Sequence, residues 1–266
     1  MTSVQERPAA PESPRRVPQW PARVRIPKRL PLPRAPQTRS PYTSAVAWTL
    51  AAFSVILGWS IFYALAVSSL QADHSQGVLY SKLREQLAAQ TAPFGGQITP
   101  GSPVALLTMK TSGLHDTVVV EGTASHDLMS GPGHRRDSPM PGQAGVSVLY
   151  GRSTMFGGPF SGIASAHAGD AITITTGQGQ FTYLVQDVRR AGDPFPAPLE
   201  SGGGRITLVT AESDGWQRGW AASHALYVDA ALQGNTVATP PGRLGGVPKA
   251  ETALQGDPSS LFTLVL

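Results

Sequence analysis

AITITTGQGQFTYLV, residues 171–185, reads as two extended segments folded back on each other. Thr173 to Thr176 supplies β-branched residues and Phe181-Thr182-Tyr183 supplies aromatic ones. Gly177-Gln178-Gly179 between them has the turn chemistry a hairpin needs. Outward from this pair, similar short runs recur between Gly and Pro turns: Val118–Val120, Val146–Leu149, Ile206–Thr210 and Ala225–Ala230. Regular short strands of this kind close into a barrel or pack as a sandwich. Pattern alone leaves both open for residues 104–232.

Toward the N-terminus the pattern changes. Residues 91–103 form a Pro/Gly linker, and before it Gln76 to Gln90 sets Val78, Leu79, Leu83, Leu87 and Ala88 on one helical face. We read residues 71–103 as a stalk helix and linker. Residues 45–70, AVAWTLAAFSVILGWSIFYALAVSSL, hold no charged residue. As a helix this run extends about 39 Å, enough to cross a hydrocarbon core of about 30 Å. Trp48 and Tyr63 stand toward its two ends, where interfacial aromatics belong. The run exceeds a signal-peptide core in length, so the expectation is a retained transmembrane helix contacting the lipid bilayer.

Residues 1–42 contain ten prolines, and residues 1–40 carry nine Lys/Arg against Glu6 and Glu12. Such a segment buries too little apolar surface to fold alone and is expected to be a disordered cytoplasmic tail. Its cations place the N-terminus inside by the positive-inside rule and the 104–232 domain outside the plasma membrane. The formal charge of +4 belongs to this tail, since the other 226 residues hold 12 Lys/Arg and 15 Asp/Glu. No nucleic-acid partner is therefore expected. Residues 233–266 are Gly/Pro-rich and polar, then finish on the apolar Leu261-Phe262-Thr263-Leu264-Val265-Leu266.

The chain contains no cysteine. Disulfides, thiolate metal sites and a Cys nucleophile are excluded together. His115, His126, His134 and His167 lack metal-ligand spacing, and Gly202-Gly203-Gly204 is followed by neither Lys-Ser/Thr nor a helix signal. No metal or cofactor is expected.

Several stretches are similar to one family. They are Val118-Val119-Val120-Glu121-Gly122-Thr123, Gly131-Pro132-Gly133-His134, Pro139-Met140-Pro141-Gly142, Gly157-Gly158-Pro159-Phe160, Ala168-Gly169-Asp170 and Ile206-Thr207-Leu208-Val209-Thr210, together with the 173–183 hairpin. From Val118 to Leu232 the sequence resembles a bacterial sortase of the class E, actinobacterial type. The resemblance implies a mainly β fold: a sortase-like closed β-barrel of eight strands behind a single N-terminal transmembrane helix.

It also implies a chemistry in which a Cys thiolate attacks a sorting-signal carbonyl, a His exchanges protons and an Arg supports the oxyanion. This sequence departs at all three positions. The His position is Arg152, in Tyr150-Gly151-Arg152-Ser153. The Cys position, directly after Thr210, is Ala211. The Arg position is Ala225, or His224 one residue aside, with the register resting on Leu226 and Val228. Alanine has no lone pair to attack with, and an Arg guanidinium does not exchange protons near neutrality.

Ser213, Asp214 and His224 have the composition of a hydrolase triad, but no Gly-x-Ser-x-Gly elbow surrounds Ser213, and Glu212-Ser213-Asp214-Gly215 reads as a turn. His134 reads as a structural loop residue. Trp216 and Trp220 lie in the loop that borders the peptide groove in sortases. The groove-binding candidates are Arg152, Ser153, Thr154, Thr210, Glu212, Trp216, Trp220 and His224. The expected function is a membrane-anchored, non-catalytic binding or assembly protein of the cell surface, with a surface protein, a sorting-signal-like peptide or a cell-wall component as partner. The alternative is a sortase-type transpeptidase or hydrolase working through unidentified residues.

Overall fold

The computed structural model describes residues 41–190, 192–212, 224–241, 246–248 and 251. Residues 1–47 form one unit, whose described part is about two opening turns of the first helix. Residues 48–266 form the other.

Helix α1 (Pro41–Phe62) leads through a π-helical segment at Tyr63–Val67 into α2 (Ser68–Ala88). The helix expected over 45–70 and the stalk helix expected after it run into one another, and the backbone stays helical from 41 to 88. Within it, Tyr42–Phe62 is long and apolar enough to cross a membrane. Its Trp48, Phe53, Ile56 and Trp59 side chains are exposed, and its Ser54 and Ser60 hydroxyls donate back to Leu50 O and Ile56 O at 2.9 Å. From Ser68 onward the helix acquires buried residues, Ser68, Ala72 and Leu83, and α2 packs against the first two strands.

Eight strands come after it: β1 (Pro103–Met109), β2 (Leu114–Glu121), β3 (Gly133–His134), β4 (Gly145–Tyr150), β5 (Ala171–Thr176), β6 (Gly179–Arg190), β7 (Gly204–Glu212) and β8 (His224–Leu232). They close into a barrel in the order β1-β2-β3-β4-β7-β8-β6-β5. The β5–β6 hairpin pairs Thr176 with Gly179, leaving Gly177-Gln178 as its turn. The core is the inner face: Leu107, Leu149, Phe160, Ile172, Ile174, Tyr183, Ile206, Leu208, Leu226 and Val228.

Two glycine-containing stretches owe their residues to close approaches. A Cβ at Gly133 would run into the Gly122 carbonyl, and one at Gly142 into the Phe181 ring. Beside that ring the Gly142 N–H donates to Tyr183 Oη at 2.7 Å, and burial pushes the Tyr183 hydroxyl up to about 12. His134 is fixed at both ring nitrogens, Nδ1 against Glu121 Oε2 at 2.8 Å and Nε2 against Pro139 O at 3.1 Å.

α2 is more than a stalk. β3 is two residues long, so much of β2 has no strand on that side. There Gln76 acts as a strand neighbour: its Oε1 accepts the Val118 N–H at 2.7 Å, and its Nε2 donates to Val118 O at 3.1 Å and Ser130 O at 2.6 Å. One side chain satisfies backbone groups that a barrel cannot leave unpaired at low cost.

Candidate functional site

Strand direction gathers the site. β4 and β7 are parallel, so both end at the same rim, with Tyr150 beside Val209. β8 is antiparallel to β7 and begins there, and β6 is antiparallel to β8 and ends there. Leu226 faces Thr210 on one side and Arg190 on the other, and Ala225 faces Ala211. Directly opposed residues share one face of a sheet, with Cβ atoms about 4.5–5.5 Å apart.

At this rim lies a cavity of about 490 Å³. The loop after β4 contributes Ser153, Thr154, Phe160 and Ser161. β6 contributes Arg190, β7 contributes Thr210, Ala211 and Glu212, and β8 contributes Leu226. Thr210 Oγ1 donates to Gly151 O at 2.8 Å, and the Gly151 N–H donates to Val209 O at 3.0 Å, which binds the loop to the end of β7. The charge at the cavity is a forked pair: Arg190 Nε donates to Glu212 Oε2 at 2.7 Å and Nη2 to Oε1 at 3.2 Å. With Arg190 half exposed, such a pair adds little to stability and exchanges readily for another partner.

Ser153, Thr154, Thr210 and Glu212 thus line the cavity beside Ala211. Ala225 adjoins Ala211 in the sheet without lining the cavity, and exposed His224 stands opposite Glu212. Arg152 stands apart from the residues that line this cavity. Its guanidinium is not part of the cavity wall but donates to Leu128 O at 3.2 Å, Ser125 O at 3.0 Å and Ser125 Oγ at 2.8 Å, and it lies 5.2 Å from the Phe156 ring centroid. It clamps the loop while its own carbonyl accepts the Phe160 N–H at 2.9 Å. Trp216, Trp220, Ser213 and Asp214 lie outside the described residues.

Sequence reasoning missed Arg190. The alternating run ends at Val185 in the sequence, because a register shift between Val185 and Asp187 breaks the alternation on β6. Val188, three residues further on, is the signal that the strand continues.

The loop is strained. Met155, Phe156, Gly157 and Gly158 have φ of 58°, 46°, 74° and 46°, a left-handed turn closed by Gly158 N–H donating to Met155 O at 2.8 Å. For the two non-glycine residues this conformation costs on the order of 1–3 kcal/mol each.

Residues 108–231 match the family model described as Sortase domain. Among solved structures, a Clostridium perfringens sortase transpeptidase shares 21% identity at a TM-score of 0.47, covering 60% of this chain and 99% of its own. Sortase E from Streptomyces avermitilis shares 28% at a TM-score of 0.42, covering 52% and 91%. The SrtA sortase from Actinomyces oris shares 21% at 0.43, covering 53% and 85%. No curated protein matches the chain. The family match runs over residues 108–231, from the end of β1 to the end of β8, so this closed barrel of eight strands is a sortase-like domain.

Proposed function

We propose that this chain is a single-pass plasma-membrane protein with a cytoplasmic N-terminus, whose external sortase domain binds a ligand without transforming it. The observation that carries the reading is Ala211. It lines the cavity at the end of β7, where the family resemblance implies a nucleophilic Cys, in a chain that contains no cysteine. The other two positions agree in chemistry: Ala225 brings no guanidinium, and the Arg152 guanidinium is engaged by Ser125 and Leu128. What persists is a cavity with hydroxyls, an apolar floor and the Arg190–Glu212 pair, which suits a sorting-signal-like peptide of a cell-surface or cell-wall partner. Membrane anchoring is supported by the exposed apolar surface of Tyr42–Phe62 and by the cations before it.

The test is titration of a fluorescent Leu-Pro-x-Thr-Gly-type peptide into the full chain in lipid nanodiscs. The expectation is saturable binding with Kd between micromolar and millimolar, about −8 to −4 kcal/mol. Ala211→Trp, which fills the cavity, and Arg190→Ala should each weaken it. Binding unaffected by either variant would place the ligand elsewhere.

A further inference from the structure

The left-handed turn Met155–Gly158 lies within the groove loop, between Ser153 and Thr154 on one side and Phe160 and Ser161 on the other. Met155 and Phe156 carry side chains in a backbone region that such residues rarely adopt, and these conformations persist only where neighbours impose them. Two contacts do so. One is Arg152, packed over the Phe156 ring and tied to Ser125 and Leu128. The other comes from outside the barrel: Ser68, fully buried, accepts the Phe156 N–H on its Oγ at 3.1 Å.

Ser68 is the first residue of α2 and directly succeeds the π-helical segment Tyr63–Val67 that joins α2 to α1. Eight residues on, Gln76 fixes α2 to β2 and to Ser130. The joint is therefore held on its barrel side. On its other side is a helix whose apolar side chains are exposed. A π-helical segment carries an extra residue per turn, and returning it to α geometry rotates α1 against α2 about the helix axis.

We infer that Ser68 is a latch through which the membrane helix sets the shape of the groove. With Ser68 seated, the strained turn is held and the cavity keeps the form described. When rotation at the π segment withdraws Ser68, the Phe156 N–H loses its acceptor, the turn relaxes, and Ser153, Thr154, Phe160 and Ser161 shift with it. The consequence for ligand rests on reading this cavity as the binding groove. The coupling itself does not.

Hydrogen exchange read by mass spectrometry, on the full chain in lipid nanodiscs, tests it without a ligand. Ser68→Ala should raise exchange across residues 153–161 roughly tenfold, the effect of one lost hydrogen bond on local opening, and leave the 171–185 hairpin unchanged. Met155→Gly removes strain from the turn, so adding it to Ser68→Ala should bring exchange back toward the unsubstituted chain. Unchanged exchange at 153–161 in Ser68→Ala overturns the latch. So does an equal rise in the hairpin, which is general loosening, and so does failure of Met155→Gly to reverse the effect. Titration of the Leu-Pro-x-Thr-Gly-type peptide alongside separates the two readings. The expected exchange pattern without peptide binding keeps the latch and removes the groove assignment. Peptide binding with unchanged exchange does the reverse.

Discussion

Ala211 on β7 and Ala225 on β8 are direct cross-strand partners. The two positions where the family resemblance implies a nucleophile and a guanidinium are thus adjacent methyl groups on one face of the sheet. The Thr210–Leu226 register one step earlier fixes this pairing, so it depends on the whole strand rather than on one loop.

The register can be tested by a disulfide, because the chain has no other cysteine. Ala211→Cys with Ala225→Cys puts two thiols on opposed residues, with Cβ atoms close to the separation a disulfide needs. Mild oxidation should give a single intramolecular cross-link visible as a gel-mobility shift. Quantitative labelling of both thiols after oxidation would show that the register is different.

Arg152 and Arg190 should separate stability from binding. Arg152→Ala leaves Ser125 O and Leu128 O without their donor and removes the contact with Phe156, which should cost about 2–3 kcal/mol. Arg190→Ala removes a half-exposed pair with Glu212 and should cost less than about 1 kcal/mol. Urea denaturation of the two variants reads the difference, and equal losses would contradict these two roles.

Tyr183 makes the barrel alkali-sensitive. Burial raises its hydroxyl from 10.0 to about 12, so the neutral form is favoured in the folded state. A raised folded value contributes stability that is fully present below about pH 10 and is lost as pH rises toward 12. Tyr183→Phe should be less stable at neutral pH by about 1 kcal/mol, since the Gly142 N–H loses its acceptor, and should lose stability less steeply between pH 10 and 12. Thermal melts across that range provide the check, and parallel pH profiles would rule the tyrosine out as the cause.

Orientation in the membrane is open to protease. Added to intact protoplasts, it should remove the 104–232 domain and spare the basic N-terminal tail. Protection of the domain would reverse the topology and end the cell-surface role.

How much of the fold is legible in the sequence depends on what covers each element. β5 and β8 announce themselves, because buried Ile172 and Ile174, and Leu226 and Val228, alternate with more exposed neighbours, whereas β7 is buried from Gly204 to Thr210 and is legible from its Ile206-Thr207-Leu208-Val209-Thr210 run instead. β1 does not announce itself. α2 packs beside it and Pro103–Leu107 is apolar throughout, so the alternation of burial from Ala105 to Met109 does not show as a polar–apolar pattern. β3 is too short to show a pattern at all, and its role becomes visible only through Gly133, which leaves room for the Gly122 carbonyl. At the site, the resemblance leads to Ala211 and Ala225, but no sequence pattern tells which way Arg152 turns. Its direction is set by the Ser125 and Leu128 carbonyls, from a segment more than twenty residues away.

The central claim is that the groove binds and does not transform. The most direct measurement is mass spectrometry of a Leu-Pro-x-Thr-Gly-type peptide incubated with the full chain in nanodiscs, with and without an amine acceptor, from acid to alkaline pH. The account predicts intact peptide throughout, with saturable binding in the parallel titration. Introducing Ala211→Cys alone should leave the peptide intact as well, because a nucleophile without its proton carrier and its guanidinium recovers little. Cleavage or amine transfer by the unsubstituted chain would contradict the account directly.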